Sequence, residues 1–127
     1  MEFWEEVWYC NRDNESASEE PTYNKPKKII TRPNYFSVMP AEAGGYLQLL
    51  KHGETIFETW IVCVNSKIFP NILQEGDLLW VDGEKPNQEL EQLYGNGATA
   101  NAVVSSVSKG RFATTITLKR NQRQVVK

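Results

Sequence analysis

The residues of this chain that could take part in catalysis or bind a metal are few and isolated. His52 is the single histidine, and it lies in the turn-like sequence Lys51-His52-Gly53. Cys10 and Cys63 are the only cysteines, and each lies in an apolar, strand-like context. A zinc site needs several His or Cys ligands at characteristic spacings, whereas isolated cysteines usually act as small core residues. The sequence therefore predicts no metal, no cofactor and a core position for both thiols.

Two aspartates bracket the apolar stretch Leu78–Val81. Each lies beside a glycine, since Asp77 follows Gly76 and Asp82 precedes Gly83. Two carboxylates at this spacing could form a catalytic acid pair. Asp beside Gly is also the usual composition of a turn, where the carboxylate accepts hydrogen bonds from nearby backbone. We interpret both aspartates as turn residues at the ends of a scaffold strand.

A Ser–Lys dyad is the enzymatic alternative. The stretch from Ser66 to Asp82 is similar to the Ser-Met-x-Pro…Gly-Asp…Val-Asp pattern of self-cleaving repressors and signal peptidases. Ser66 would be the nucleophile and Lys119 the base. The chain departs from the pattern, because Lys67 replaces the methionine and an extra residue precedes Pro70. We therefore predict a non-enzymatic protein, with a self-cleaving peptidase-like domain as the alternative.

Charge is distributed unevenly, although the formal net charge is only −2. Residues 1–20 contain seven acids and one base, and residues 98–127 contain six bases and no acid. Opposite charges guide association, and a head-to-tail ring uses two different faces of each subunit. A solvated surface with chance clustering is the alternative interpretation. The predicted interaction surface consists of Glu2, Glu5, Glu6, Glu19 and Glu20 on the acidic side and Lys109, Arg111, Lys119, Arg120 and Arg123 on the basic side.

Nucleic-acid binding is a further alternative. Four tryptophans and the basic carboxy-terminal hairpin could form an aromatic and cationic platform on a small barrel. The isoelectric point of about 5.5 argues against this function. Trp60 and Trp80 also lie in the most apolar predicted strands, where a tryptophan fills the core. Nucleic acid is therefore not the favoured partner.

Length and composition predict one domain over residues 1–127. The hydrophobic content of 40% and the charged content of 24% are ordinary for a globular protein. No apolar run approaches the roughly 18 residues that span a membrane. The acidic, aromatic start MEFWEEVWY is unlike a secretory signal, so we expect a cytoplasmic location and no membrane partner.

Alternating apolar residues and turn pairs predict an all-β, mainly antiparallel fold. We expect a small β-barrel or sandwich of about six strands, with one or two short helices and long loops. Residues 11–28 are predicted to be a mobile loop and residues 121–127 a frayed tail. The predicted strands are Phe3–Cys10, Lys27–Ser37 with an edge, bulge or break at Pro33, Thr55–Asn65, Leu78–Asp82, Ala98–Ser108 and Phe112–Arg120, and the predicted helix is Pro86–Tyr94.

The order of these features resembles small structural proteins from the morphogenesis modules of tailed bacteriophages and prophages. The resemblance is to the head–tail connector and head-completion group, and it spans most of the chain. The segments that carry it are FWEEVWYCNR, residues 30–36 (ITRPNYF), His52-Gly53-Glu54, EGDLLWVDGEKP and NGATANAVVSSVSKGRFATTITLKRN.

This resemblance implies a virion structural protein with a small β-barrel, no cofactor and no catalysis. It implies assembly into a ring and contacts with portal, capsid or tail-side proteins, in the host cytoplasm first and then in the virion. A minor tail protein is the neighbouring interpretation. The loop Asn11–Lys28 and the segment Met39–Gly53 would be the docking candidates.

Overall fold

The structure of this protein is a computed structural model that describes residues 5–13, 22–40 and 59–126. These residues form a mainly antiparallel sheet of seven strands and one short helix. The elements are β1 (Glu5–Cys10), β2 (Lys27–Thr31), β3 (Phe36–Pro40), β4 (Thr59–Asn65), β5 (Leu78–Trp80), α1 (Gln88–Tyr94), β6 (Ala102–Lys109) and β7 (Ala113–Arg120).

The sheet folds over itself like a sandwich, and the predicted all-β class is confirmed. The sheet does not close, so the sandwich describes it better than the barrel. The strand order is β2-β1-β5-β6-β7-β4-β3, and every pairing is antiparallel. A register shift between Val104 and Ser106 interrupts the pairing of β6 with β7. Bulges of this kind bend a strand and increase its twist. Strand β6 therefore takes part in both halves of the sheet, pairing with β5 at its start and with β7 along its length.

The core lies between the two halves. Val7 and Leu79 from one half share a buried cluster with residues of the other half, including Phe36, Val62 and Ile116. A second, smaller cluster covers the opposite face of β1 and β5. Its buried members are Cys10, Leu78, Trp80 and Ala100. The β1–β5 half is thus packed on both faces, which explains why β5 is apolar at every position.

The predicted strand Lys27–Ser37 is two strands in the structure. Its first part, β2, pairs with β1 at one edge of the sheet, whereas β3 pairs with β4 at the other edge. The break falls at Pro33, which has no N–H to donate to a ladder. The backbone turns there, because the N–H groups of Tyr35 and Phe36 both donate to the carbonyl oxygen of Arg32 at 3.0 and 3.4 Å.

Strand β4 lies inside the sheet between β7 and β3, as its apolar sequence predicts. Trp60, Val62 and Val64 point into the core. The intervening Cys63 is exposed, so the core position expected for it is wrong, while that of Cys10 is confirmed. Residues 55–58, which the sequence assigns to the same strand, lie outside the described residues.

The predicted helix is confirmed as α1. The side chain of Asn87 caps it by accepting a hydrogen bond from the N–H of Leu90 at 3.2 Å. Gly95 ends the helix with a φ of 106°, a value that glycine adopts without steric cost. In the described part of the chain, no helix is long and apolar enough to cross a membrane.

The two segments predicted to be mobile or frayed make backbone hydrogen bonds where the structure describes them. Arg12 and Tyr23 form an antiparallel bridge, and residues 14–21 between them lie outside the described residues. In the tail, the N–H of Val125 donates to the carbonyl oxygen of Ala98 at 2.8 Å. Mobility in solution remains a prediction for both segments.

Candidate interaction surfaces

The carboxylate of Asp77 joins separate segments of the fold. The residue is 2% exposed. Its oxygens accept hydrogen bonds from Nδ2 of Asn11 at 3.0 Å, the N–H of Arg12 at 2.8 Å and the N–H of Gln74 at 2.7 Å. The bond to Gln74 belongs to a turn, as the sequence predicts. The bonds to residues 11 and 12 hold the end of β1, and no local sequence signal indicates them.

Asp82 occupies the other end of β5. Its φ of 58° lies in the left-handed region of the turn that leads out of the strand. Its Oδ2 accepts a hydrogen bond from Nε1 of Trp60 on β4 at 3.1 Å. The two aspartates are separated along the strand by about 16 Å at roughly 3.3 Å per residue. They are scaffold residues and do not form an acid pair.

Glu91 is a buried carboxylate that the sequence assigns only to the first turns of a helix. It is 8% exposed. Oε1 accepts from the N–H of Gly97 at 2.6 Å, and Oε2 accepts from the N–H and the hydroxyl of Thr99 at 2.8 and 3.1 Å. These bonds fasten the loop after α1 to the helix. The sequence contains only a weak signal for this role of Glu91, which is the turn glycine Gly97 six residues later.

Cys10 is a buried thiol whose Sγ donates to the carbonyl oxygen of Asn24 at 2.8 Å. Burial, together with the negative charges of Glu91 and Asp77, raises the pKa of this thiol to about 12. The thiolate is the reactive form of cysteine. Cys10 is therefore an unreactive core residue and not a nucleophile.

The structure does not bring Ser66 and Lys119 together. Ser66 lies beside the β6–β7 hairpin tip, where its hydroxyl contacts the carbonyl oxygen of Gly110 at 3.1 Å and the hydroxyl of Thr114 at 2.9 Å. Lys119 is at the other end of β7, opposite Thr59. The separation along the strand is about 20 Å at roughly 3.3 Å per residue. These two residues cannot form a dyad in this fold.

A basic and aromatic cluster forms the tip of the β6–β7 hairpin. Phe112 is 65% exposed. The Nζ of Lys67 lies 5.4 Å from its ring centroid, and the guanidinium carbon of Arg111 lies 5.7 Å from it. Both distances are within the range of cation–π attraction. We call Lys67, Lys109, Arg111 and Phe112 the basic knob. The sequence identified Lys109 and Arg111 but missed Lys67, which reaches the tip from the loop after β4.

The other predicted bases do not belong to this cluster. Lys119 and Arg120 are exposed at the far end of β7, and Arg123 follows in the segment after the strand. Arg123 lines the same surface pocket as Tyr23, and burial raises the pKa of that phenol. The single basic surface expected from the sequence is therefore two groups at opposite ends of the hairpin.

An acidic groove lies at the start of β1. Glu5 and Glu6 share it with Asp82 and Glu84 from the turn after β5, and Lys85 is the only base in its lining. The cavity is about 420 Å³ in volume. Its apolar lining consists of Val7, Trp8, Val38, Trp80 and Val81. The sequence predicts that the acids of β1 belong to an interaction surface. Only the pairing of β1 with β5 places Asp82 and Glu84 beside them.

The side chains at the groove are partly held in place. Glu6 Oε1 accepts from Nε1 of Trp8 at 2.8 Å and lies 4.0 Å from Nζ of Lys85. Both partners of this ion pair are solvent-accessible, so the pair contributes little to stability. The groove keeps an excess of negative charge, with four carboxylates against Lys85 in the lining and Lys28, whose Nζ lies 5.6 Å from the ring centroid of Trp8.

Three of the predicted acidic residues, Glu2, Glu19 and Glu20, lie outside the described residues, as does His52. Across residues 5–13, 22–40 and 59–126, no group of three or more His, Cys, Asp or Glu side chains could hold a metal ion. Comparisons of the chain with protein-family models, curated proteins and solved structures gave no match.

Proposed function

We propose that this chain is a non-enzymatic structural protein of a tailed bacteriophage or prophage particle. It acts at the head–tail junction by assembling with portal, capsid or tail-side proteins, or with copies of itself in a ring. The setting is an inference from the sequence resemblance. The mode of action is supported by the charged and aromatic groups that the fold leaves exposed.

The observation that carries the proposal is the separation of two oppositely charged surfaces. The acidic groove lies at the start of β1, and the basic knob lies at the tip of the β6–β7 hairpin. Complementary charges steer association and fix its register. The buried polar groups Asp77 and Glu91, by contrast, are fully engaged in hydrogen bonds within the scaffold. Binding to another protein is therefore the function that the exposed surface supports best.

Co-expression tests the proposal. The tagged chain is produced with the portal, capsid and tail proteins that the neighbouring genes encode, and the recovered proteins are identified by mass spectrometry. We expect a head–tail partner to co-purify. Recovery of tail proteins alone would support a minor tail protein, and recovery of no virion protein would contradict the proposal, as would neighbouring genes of a metabolic operon.

A charge reversal makes this experiment specific. Lys67→Glu with Arg111→Glu is expected to reduce recovery of the partner, because it replaces the positive charge around Phe112 with negative charge. Lys25→Glu with Lys27→Glu changes the net charge equally at exposed positions away from the hairpin tip, and it is the matched control. Equal recovery with both variants would exclude the basic knob as the partner surface.

Nucleic-acid binding is the second candidate, favoured by one observation. An exposed Phe112 with two cations 5.4 and 5.7 Å from its ring centroid is the kind of site on which a base can stack while phosphates contact the cations. Fluorescence anisotropy with a labelled single-stranded oligonucleotide tests it. Binding that weakens steeply with salt and is lost in Phe112→Ala would support this function, whereas no binding at low salt would exclude it.

A further inference from the structure

The basic knob and the acidic groove have matching properties. The knob presents an exposed aromatic ring surrounded by positive charge, and none of the described carboxylates lies within ion-pair distance of Lys67, Lys109 or Arg111. The groove is lined by the half-buried apolar side chains of Trp8 and Val38 and by the exposed carboxylates of Glu5 and Glu84. An aromatic anchor in a pocket with a charged rim is the usual composition of a binding hot spot.

The two surfaces cannot meet within one chain. The N–H of Ser66, which follows β4, donates to the carbonyl oxygen of Phe112 at 3.0 Å, so the knob lies beyond the end of that strand. At the other end, Nε1 of Trp60 donates to Asp82 in the lining of the groove. Trp60 and Asn65 are about 16 Å apart along β4 at roughly 3.3 Å per residue. Any contact between knob and groove therefore joins two molecules.

We propose that the basic knob of one copy seats Phe112 in the acidic groove of a second copy. Lys67 and Arg111 then face the carboxylates of Glu5 and Glu84 at the rim. Because each copy offers one knob and one groove, the contact is head-to-tail and closes into a ring or extends into a filament. This inference rests on the proposed function, for which it names a second copy as the partner.

Sedimentation of the purified chain at several protein concentrations tests the contact. At low salt we expect concentration-dependent association that weakens as ionic strength rises, since salt screens charges at the exposed rim. Phe112→Ala is expected to weaken association about 30-fold or more, as for the loss of an aromatic hot spot. Tyr94→Ala is the matched control, because Tyr94 is also exposed, at 61%, but lies on α1. Circular dichroism of each variant checks its fold.

Mixing two deficient variants makes the test sharper. Phe112→Ala retains an intact groove, and Glu5→Lys with Glu84→Lys retains an intact knob. Each variant alone is expected to be monomeric. Their mixture is expected to form dimers and nothing larger, because one knob and one groove remain for a single contact. Larger species in the mixture, or association of either variant alone at the wild-type strength, would overturn the proposal.

The outcomes separate this inference from the proposed function. A wild-type chain that stays monomeric at high concentration in low salt overturns the knob-in-groove contact, while co-purification with a portal or tail protein would still support the function. Oligomers unaffected by Phe112→Ala, or a knob that binds an oligonucleotide without self-association, overturn it as well. Absence of both self-association and virion partners counts against both proposals.

Discussion

The buried carboxylate of Asp77 joins three separate positions of the fold. It accepts hydrogen bonds from Asn11, Arg12 and Gln74. Asp77→Ala removes the shared acceptor of three part-buried hydrogen bonds, although Asn11 Nδ2 keeps its bond to the carbonyl oxygen of Ile72 at 3.1 Å. A donor that is left unsatisfied on burial costs about 1–3 kcal/mol. We expect the free energy of unfolding to fall by about 3 kcal/mol, measured by urea denaturation.

The matched control for Asp77 is Glu75→Ala in the same turn. Glu75 is exposed, and removal of an exposed carboxylate changes stability by about 0.5 kcal/mol or less. If the two substitutions had the same effect, the hydrogen bonds of Asp77 would not be the source of its stabilisation.

The two cysteines are expected to differ in reactivity. Cys63 is exposed, while Cys10 is buried with a pKa raised to about 12. Iodoacetamide at pH 8 should therefore modify only Cys63 in the folded protein and both residues in urea. Intact-protein mass spectrometry distinguishes one modification from two. Rapid double modification of the folded chain would contradict the buried position of Cys10.

The same thiol makes stability depend on alkaline pH. Its folded pKa is raised from an ordinary value of 9.0 to about 12. Between these values the unfolded chain loses the proton and the folded chain keeps it, so the free energy of unfolding falls as pH rises. Cys10→Ala should reduce this slope between about pH 9 and 11. Tyr9, whose pKa burial raises, is retained in this variant. Burial is the main cause of the raised pKa of Tyr23, but the charge of Cys10 also raises it, so Cys10→Ala removes that effect as well.

Strands and turns could be predicted from the sequence because their signals are local. The alternation in β4 and β7 and the Asp82-Gly83 turn all depend on neighbouring residues. Pro33 indicated the break between β2 and β3, but the sequence did not indicate where the two strands would lie in the sheet. Placement of these two strands at opposite edges of the sheet depends on pairing with β1 and β4, which are distant in the sequence. The sequence indicated only part of the groove and of the knob for the same reason, because Glu84 and Lys67 are brought to these surfaces by contacts between segments that are distant in the sequence.

The loop after α1 requires glycine at residue 97. Gly97 has a φ of 84°, and a Cβ there would lie 2.5 Å from Cδ1 of Leu78. Its N–H donates to the buried Glu91. Gly97→Ala therefore combines backbone strain with a steric clash in the second core cluster. Gly83→Ala is the control, since Gly83 has a φ of 80° but a Cβ added there would meet no atom within 4 Å.

The two alanine variants distinguish the cost of backbone strain from the cost of the steric clash of the added methyl group. We expect Gly83→Ala to lower the free energy of unfolding by about 1 kcal/mol, from the left-handed backbone alone. Gly97→Ala should lower it by about 1–3 kcal/mol more, the usual cost of overpacking. Thermal and urea denaturation measure both. Equal losses would indicate that the loop moves to accommodate the added methyl group.

At the scale of the whole molecule, strand β6 makes the two halves of the sheet interdependent. Val104 on this strand is 2% exposed and shares one cluster with Val7 and Leu79 from one half and with Val62 and Ile116 from the other. The hydrogen bond from Trp60 to Asp82 also crosses between the halves. A core shared in this way favours a single cooperative transition.

We therefore expect urea unfolding followed by tryptophan fluorescence and by far-ultraviolet circular dichroism to give the same midpoint. Val104→Ala should lower both midpoints together, with a loss of roughly 2 kcal/mol from a core position. Val126→Ala is the control, because Val126 is 71% exposed and its truncation should leave both midpoints unchanged. Two separate transitions, or an effect of Val104→Ala on one signal alone, would mean that the two halves fold independently. In that case β6 would not couple the half that contains the acidic groove to the hairpin that contains the basic knob.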